Sequence, residues 1–285
     1  MTGIHTTAPV PAVAATGATG TDGAPDAFYA AFTERNRGLI PDAAQRALRT
    51  AVVLVAGCGS TGGAAVDPLT RLGVQHFVLA EPGAYELNNL NRQHAAHADI
   101  GRNKADVAAE RVRAVNPHAV AEVCPEGIRP ENVAALLGGC DIVVDGVDVT
   151  TPEGWRAKYA LHAEAAAQGR PVVSGYDMSG TQYVRYYDYR LGLPPLAGEV
   201  TAEQVASESV WELLLRIVPR ELVPEDLLAD VRAHRDEPDY SVPQLVYTSL
   251  LFGVLTARYV VEVLAGRPVR EALSLDVHQI VRPQS

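Results

Sequence analysis

The stretch that most constrains this chain runs from Val52 to Gly63. An apolar, β-branched run, Val52-Val53-Leu54-Val55-Ala56, stops at Gly57-Cys58-Gly59-Ser60-Thr61-Gly62-Gly63, and helix-compatible sequence comes next. That order reads as a buried parallel strand turning tightly into a helix. Gly57, Gly59 and Gly62 have the GxGxxG spacing, in which absent side chains let the backbone approach a phosphate and the helix N-terminus supplies N–H groups and positive potential. The spacing points to a nucleotide. Glycine turns after strands also serve plain strand–helix packing, so the choice falls to the residues downstream of the turn.

Those residues are chemically dense. A second strand, Gln75 to Ala80, ends on Glu81, the place from which α/β nucleotide folds offer a carboxylate to ribose hydroxyls. Glu86-Leu87-Asn88-Asn89-Leu90-Asn91-Arg92-Gln93 is too rich in amides for a strand or an ordinary linker, and Asn and Arg can hold phosphate oxygens by directional hydrogen bonds. Lys104 opens a helix with Val107, Ala108, Val112 and Val115 on one face, ended by Asn116-Pro117. A lysine in the first turn opposes the helix dipole, a cost that a bound phosphate relieves. The chain has only two lysines, Lys104 and Lys158, so each invites a chemical reason. Ile142-Val143-Val144-Asp145-Gly146-Val147-Asp148 is a further apolar run ending in carboxylates, which makes Asp148 a candidate magnesium ligand. Asp145 or Asp148 can instead cap the helix that begins near Pro152.

Alternating strand and helix signals predict an α/β fold: a Rossmann-like, doubly wound, mainly parallel sheet with an antiparallel C-terminal extension and a helical insertion. Helical sequence spans Asp26 to Thr50 around Pro41, with Glu34-Arg35-Asn36-Arg37 reading locally as a solvated face. Further helices are expected at Ala64 to Leu72, Pro130 to Leu137 and Glu153 to Gln168, and strands at Ala119 to Val123 and Pro171 to Ser174. Thr181 to Arg190 suits an antiparallel strand. An insertion at about 191–239 should hold two amphipathic helices, Thr201 to Arg220 and Pro224 to His234, followed by a polar linker, Arg235 to Asp239. A long helix, Leu245 to Leu264, and a last strand, Leu273 to Val281, complete the domain, 26–285. Residues 1–25, rich in Ala, Thr, Gly and Pro, are expected to be a disordered tail.

Composition removes several classes. A formal net charge of -10 argues against nucleic acid as a partner. The three cysteines, Cys58, Cys124 and Cys140, form no CxxC pair, so neither zinc nor a disulfide framework is expected. No signal peptide is visible, and the apolar segment from Leu245 carries Arg258 and Glu262, which suits a buried helix. The expectation is a soluble, cytoplasmic protein without membrane attachment.

Taken together, Arg35-Asn36-Arg37, the GCGSTGG turn, Glu81, Asn89-Leu90-Asn91-Arg92-Gln93, Gly101-Arg102-Asn103-Lys104, Asn116-Pro117 and Asp145-Gly146-Val147-Asp148 resemble the ThiF/MoeB/HesA adenylyltransferases, bacterial relatives of ubiquitin-activating enzymes. The resemblance covers roughly residues 32–190. It implies an ATP site in which the glycine turn approaches the phosphates, Glu81 holds ribose, Arg92 and Lys104 neutralise the triphosphate, Asn89 and Gln93 help position it, and Asp148 holds Mg²⁺. It also implies a homodimer in which Arg37 reaches the neighbouring subunit's site. The reaction would be attack of a carboxylate, from a peptide, a carrier protein or a small acid, on the α-phosphorus of ATP. Transfer or dehydrative cyclisation in a biosynthetic pathway would come after it. Such chemistry needs positioning and charge stabilisation more than an acid–base pair. His94 and His97, flanking the loop, are expected to face solvent.

The chain departs from the family in having Glu81 for a usual Asp, Val149 where Asn is common, and Pro82-Gly83 in place of an acidic stretch. With no cysteine after Asp148, a downstream thioester is excluded, and Cys58 is expected to pack within its turn. Two rivals stand: a non-catalytic nucleotide-binding subunit of the same fold, and an NAD-dependent oxidoreductase, in which Arg92 and Lys104 would have no task.

Overall fold

The computed structural model describes residues 23–234, 237 and 240–283. The expected tail thus lies outside the described residues up to 22, but the first helix, α1 (Gly23–Phe32), begins before residue 26, with Asp26 placed favourably in its first turn. Most of the polar linker at 235–239 likewise lies outside them.

The chain continues through α2 (Asp42–Thr50), β1 (Val52–Ala56), α3 (Ser60–Leu72), β2 (His76–Ala80), α4 (Lys104–Val115), β3 (Val120–Cys124), α5 (Val133–Leu137), β4 (Ile142–Asp145) and α6 (Pro152–Gln168). It then forms β5 (Val172–Met178), β6 (Thr181–Tyr187), α7 (Ala202–Ser207), α8 (Val210–Ile217), α9 (Glu225–His234), α10 (Val246–Leu264), β7 (Ala272–Asp276) and α11 (Val277–Val281). One sheet orders the strands β3-β2-β1-β4-β5-β6-β7. The first five are parallel, and the last two pairings, β5 with β6 and β6 with β7, are antiparallel. The expected doubly wound sheet with an antiparallel extension is the fold observed.

Because β1 continues outward to β2 while β4 lies on its other side, the sheet changes winding direction between β1 and β4. Crevices at such switch points, outside the carboxyl ends of the strands, are where open α/β sheets bind ligands. Successive residues of β1 and β4 face opposite layers. Val53, Val55, Ile142 and Val144 pack with α2, α3, α4 and α10. Leu54 and Val143 pack with α5, α6 and the insertion. Alternation across two covered faces is why these strands read as unbroken apolar runs.

Several boundaries differ from expectation for identifiable reasons. α3 starts at Ser60 rather than Ala64, since the glycine turn itself enters the helix. The stretch 201–220 is two helices because Thr201 and Ser209 each close a capping box, with Gln204 and Glu212 respectively. The final strand stops at Asp276, whose side chain accepts the Gln279 N–H and caps α11. β5 extends to Met178 because pairing with β6 continues beyond the end of β4. α10 is long and apolar enough to cross a membrane, yet it packs on α3, with a bare Gly253 Cα where a Cβ would stand 2.2 Å from the Ala64 carbonyl oxygen.

Candidate active site

The glycine turn and the loop after β4 meet at the switch point. Gly57 has φ +85°, and a Cβ there would lie 2.4 Å from the Gly146 carbonyl oxygen; at Gly62 one would lie 2.0 Å from the Gly57 carbonyl oxygen. Only bare Cα atoms fit at those two positions. Gly59 is different, since a Cβ there would meet only Gln93 Nε2 at 3.8 Å. Two glycines therefore close the packing, and the third leaves one face of the turn open for a ligand to approach the backbone.

Glu81 is buried and braces this turn: Oε2 accepts the Cys58 N–H at 2.8 Å and Oε1 the Gly83 N–H at 2.7 Å. Each oxygen keeps a further lone pair for a ligand hydroxyl. The Glu81 carbonyl accepts Asn103 Nδ2 at 2.8 Å, and Asn103 Oδ1 caps α4 by accepting the Ala105 and Asp106 N–H groups. That cap fixes the first helical residue, Lys104, whose ammonium stands 5.8 Å from the Tyr85 ring centroid. No carboxylate pairs with it among the described residues, so its charge is available to an anion.

Arg92 is oriented from several sides. Its Nε donates to Gln244 Oε1 at 2.6 Å, and its Nη1 donates to the Asn88 carbonyl and Asn91 Oδ1, both at 2.8 Å. Desolvation lowers its pKa, against the pull of Asp177 and Asp148. Gln244 Oε1 also accepts Ser60 Oγ–H at 3.0 Å, linking the arginine to the glycine turn. Nothing in the sequence singles out Gln244, a lone amide ahead of a helix. Asn89 shapes the loop: its Oδ1 accepts the Glu86 N–H at 3.1 Å, and its Nδ2 donates to Asn88 Oδ1. Gln93 Oε1 is buried without a partner among the described residues.

Asp148 is exposed, and its Oδ1 accepts both the N–H and the Oγ1–H of Thr150, at 2.8 and 2.7 Å. The cap of α6 is Thr151, which accepts the Gly154 N–H at 3.0 Å, so neither Asp145 nor Asp148 serves there. Asp145 instead lies in a fully buried cluster behind the loop. Its Oδ2 accepts the Lys158 ammonium, His162 Nε2–H at 2.9 Å and Ser174 Oγ–H at 2.6 Å, while Oδ1 accepts the Val147 N–H at 3.1 Å. Burial opposes the Asp145 charge, yet Lys158 and His162 hold its carboxyl well below the usual carboxylate range. Burial lowers the His162 pKa, and Tyr189 OH, 2.6 Å from Nδ1, accepts the Leu196 N–H and so donates its own proton to the neutral ring. Lys158, conspicuous by its rarity, thus neutralises the carboxylate that anchors the start of the Asp148 loop.

One predicted residue is not brought to this cluster within a chain. Asn36 Nδ2 donates to the Leu72 carbonyl at 3.2 Å, tying the Glu34–Asn36 turn to the C-terminal end of α3. The glycine turn is at the other end of that helix, about 20 Å away for its 13 residues. The adjoining Arg37 is exposed, with Glu34 3.6 Å away. His97 is exposed as expected, but His94 is half-buried, and desolvation lowers its pKa. Burial raises the pKa of Cys58 and Cys124 and pushes Cys140 up to about 12, so no cysteine is an activated thiol.

Residues 33–271 match the ThiF family. An uncharacterized protein of Mycobacterium tuberculosis, MT1398, is 34% identical over 182 residues, which cover 62% of this chain and 25% of that protein. The sulfur carrier protein adenylyltransferase of Thermus thermophilus is 31% identical over 159 residues, 55% of each chain. The chain thus spans between a quarter and about half of the curated relatives it matches first. Among solved structures, the tRNA N6-threonylcarbamoyladenosine dehydratase of E. coli superposes with a TM-score of 0.60 at 22% identity, over 85% of this chain and 96% of that one.

Proposed function

This chain belongs to the ThiF family, and from that premise we propose that it is an ATP-dependent adenylyltransferase that activates a substrate carboxylate. The observation that carries the reading is the convergence of an open Gly59, an oriented Arg92, a Lys104 with no carboxylate partner among the described residues and an exposed Asp148 on the sheet's switch point. In the reaction, a carboxylate oxygen attacks the α-phosphorus of ATP. The bond to the β,γ-phosphates breaks, and pyrophosphate leaves with the electron pair. Negative charge grows on the phosphoryl oxygens, and Arg92 and Lys104 are the side chains to stabilise it. Glu81 offers its remaining lone pairs to ribose hydroxyls.

Asp148 suits Mg²⁺, which is commonly held by one or two carboxylates together with substrate phosphates rather than by an all-protein cage. Its Oδ1 is engaged by Thr150, which leaves Oδ2 as the ligand atom. The described residues include no group of three His, Cys, Asp or Glu side chains suited to holding the ion without phosphates. When bound, the ion would neutralise charge on the departing pyrophosphate.

With its thiols unactivated, the chain is suited to passing the acyl group directly to a nucleophile or to closing it on the substrate itself, in a dehydrative cyclisation. The substrate is a peptide or carrier-protein C-terminus or a small N-acyl amino acid. We further place Arg37 in the neighbouring site of a homodimer, because its own site is a helix length away.

The test is carboxylate-dependent exchange of labelled pyrophosphate into ATP, with pools of free-acid peptides, carrier-protein C-termini and N-acyl amino acids. Exchange should appear with one pool and fall by about 100-fold or more in Asp148→Ala. Binding of NAD in place of ATP would end the adenylation reading.

A further inference from the structure

Asp177 lies on the part of β5 that runs past the end of β4, so it stands beyond the parallel sheet beside the glycine turn. Its Oδ2 accepts Thr61 Oγ1–H at 3.1 Å, from the first turn of α3, and Ser249 Oγ–H at 2.8 Å, from α10. Its Oδ1 is buried and has no partner among the described residues. The cross-strand partner of Asp177 on β6 is Gln182, and directly opposed residues of an antiparallel pair project from the same face. Gln182 is fully buried, and its Oε1 also has no partner among them. Its amide cannot be turned around to supply one, because Nε2 donates to the Tyr183 carbonyl at 3.0 Å, and a flip would set two acceptors against each other.

Two buried acceptors thus belong to directly opposed residues, and neither meets a donor among the described residues. Leaving them so is unfavourable for both, and one shared proton removes the conflict. A neutral Asp177 would donate Oδ1–H to Gln182 while Oδ2 kept both hydroxyl bonds.

Among the described residues the only charge felt by Asp177 that favours its ionised form is Arg92; the groups facing it from α3, α10 and β6 are Thr61, Ser249 and Gln182. Desolvation raises its pKa to about 6, with Ser249, Thr61 and Arg92 opposing. A value near 6 leaves the carboxyl mainly ionised above pH 7 until nucleotide binds. ATP brings several negative charges to the turn that Thr61 belongs to and draws the Arg92 charge toward its phosphates. Both changes favour the acid form.

We infer that Asp177 is a positioning residue that takes up one proton from solvent when the nucleotide binds, sharing it with Gln182 Oε1 and so holding Thr61 and α10 in place without a like charge beside the phosphates. The inference rests on the proposed ATP site.

Calorimetry of ATP·Mg²⁺ binding at pH 7 to 8 in buffers of differing ionisation heat counts the protons. Wild type should take up close to one more proton than Asp177→Asn, and its affinity should weaken about tenfold per pH unit in this range. Asn reproduces the neutral acid, with Nδ2–H for Gln182 and Oδ1 for the two hydroxyls. The variant should therefore bind ATP independently of pH and at least about tenfold more tightly than wild type at pH 8. Gln182→Leu should retain nucleotide binding with reduced proton uptake. Equal uptake by wild type and Asp177→Asn, with ATP bound, overturns this inference and leaves the adenylation reading standing. Failure of wild type to bind ATP removes both.

Discussion

Lys158 and Asp145 show what a single buried charge does at the scale of one residue. Their ion pair is completely dry, and its value lies less in net stabilisation than in the penalty for leaving one member alone. Lys158→Ala should therefore destabilise the protein by about 3–5 kcal/mol in denaturant unfolding at pH 7. Adding Asp145→Asn to it should return part of that loss, because the uncompensated carboxylate is gone. An additive double variant would mean that the pair does not act as a unit. The sequence carried half of this: the scarcity of lysine marked Lys158, but nothing in its spacing announced that His162 and Ser174 would meet it on the same carboxylate oxygen. Such a cluster joins α6, β4 and β5, and only the fold brings those together.

At the scale of an element, the β1–α3 turn separates what glycine does for packing from what it does for a ligand. Gly62→Ala forces a Cβ onto the Gly57 carbonyl and should cost stability of about 2 kcal/mol or more. Gly59→Ala meets only Gln93 Nε2, at an ordinary contact distance of 3.8 Å, so its melting temperature should stay closer to wild type than that of Gly62→Ala. Its ATP affinity should nevertheless fall at least about tenfold, since a methyl group stands where the phosphate approaches. Equal ATP affinity in Gly59→Ala and wild type would mean that the ligand does not use this face. The turn, the ends of β1, β2 and β4 and the start of α4 were legible because each rests on local backbone physics. The break at Ser209 was legible too, through its S-x-x-E pattern, but an amphipathic period read across it hid the second cap. Gln244, Asp177 and Gln182 were not, because their roles depend on partners more than 50 residues away or on a strand register.

For the whole molecule, the position of Arg37 at the far end of α3 makes the proposed dimer testable by complementation. Arg37→Ala and Asp148→Ala should each lose exchange activity. Mixing the two after dissociation should restore about a quarter of wild-type activity, since half the dimers are mixed and each has one intact site. No recovery, with mixed dimers demonstrated by mass, would mean that Arg37 serves its own chain or none. Between Asp188 and Pro243 the chain leaves the sheet and, in the described residues, forms three α-helices, then returns as α10 beside the strand it left. Such a segment invites transplantation, and a chimera carrying another relative's loop can vary it in length and chemistry while the sheet still closes. The boundary of the graft is set by Gln244, whose one oxygen receives both Arg92 and Ser60. A donor loop that replaces that residue strips a shared anchor from the phosphate-facing arginine, so modularity in this protein ends at Pro243.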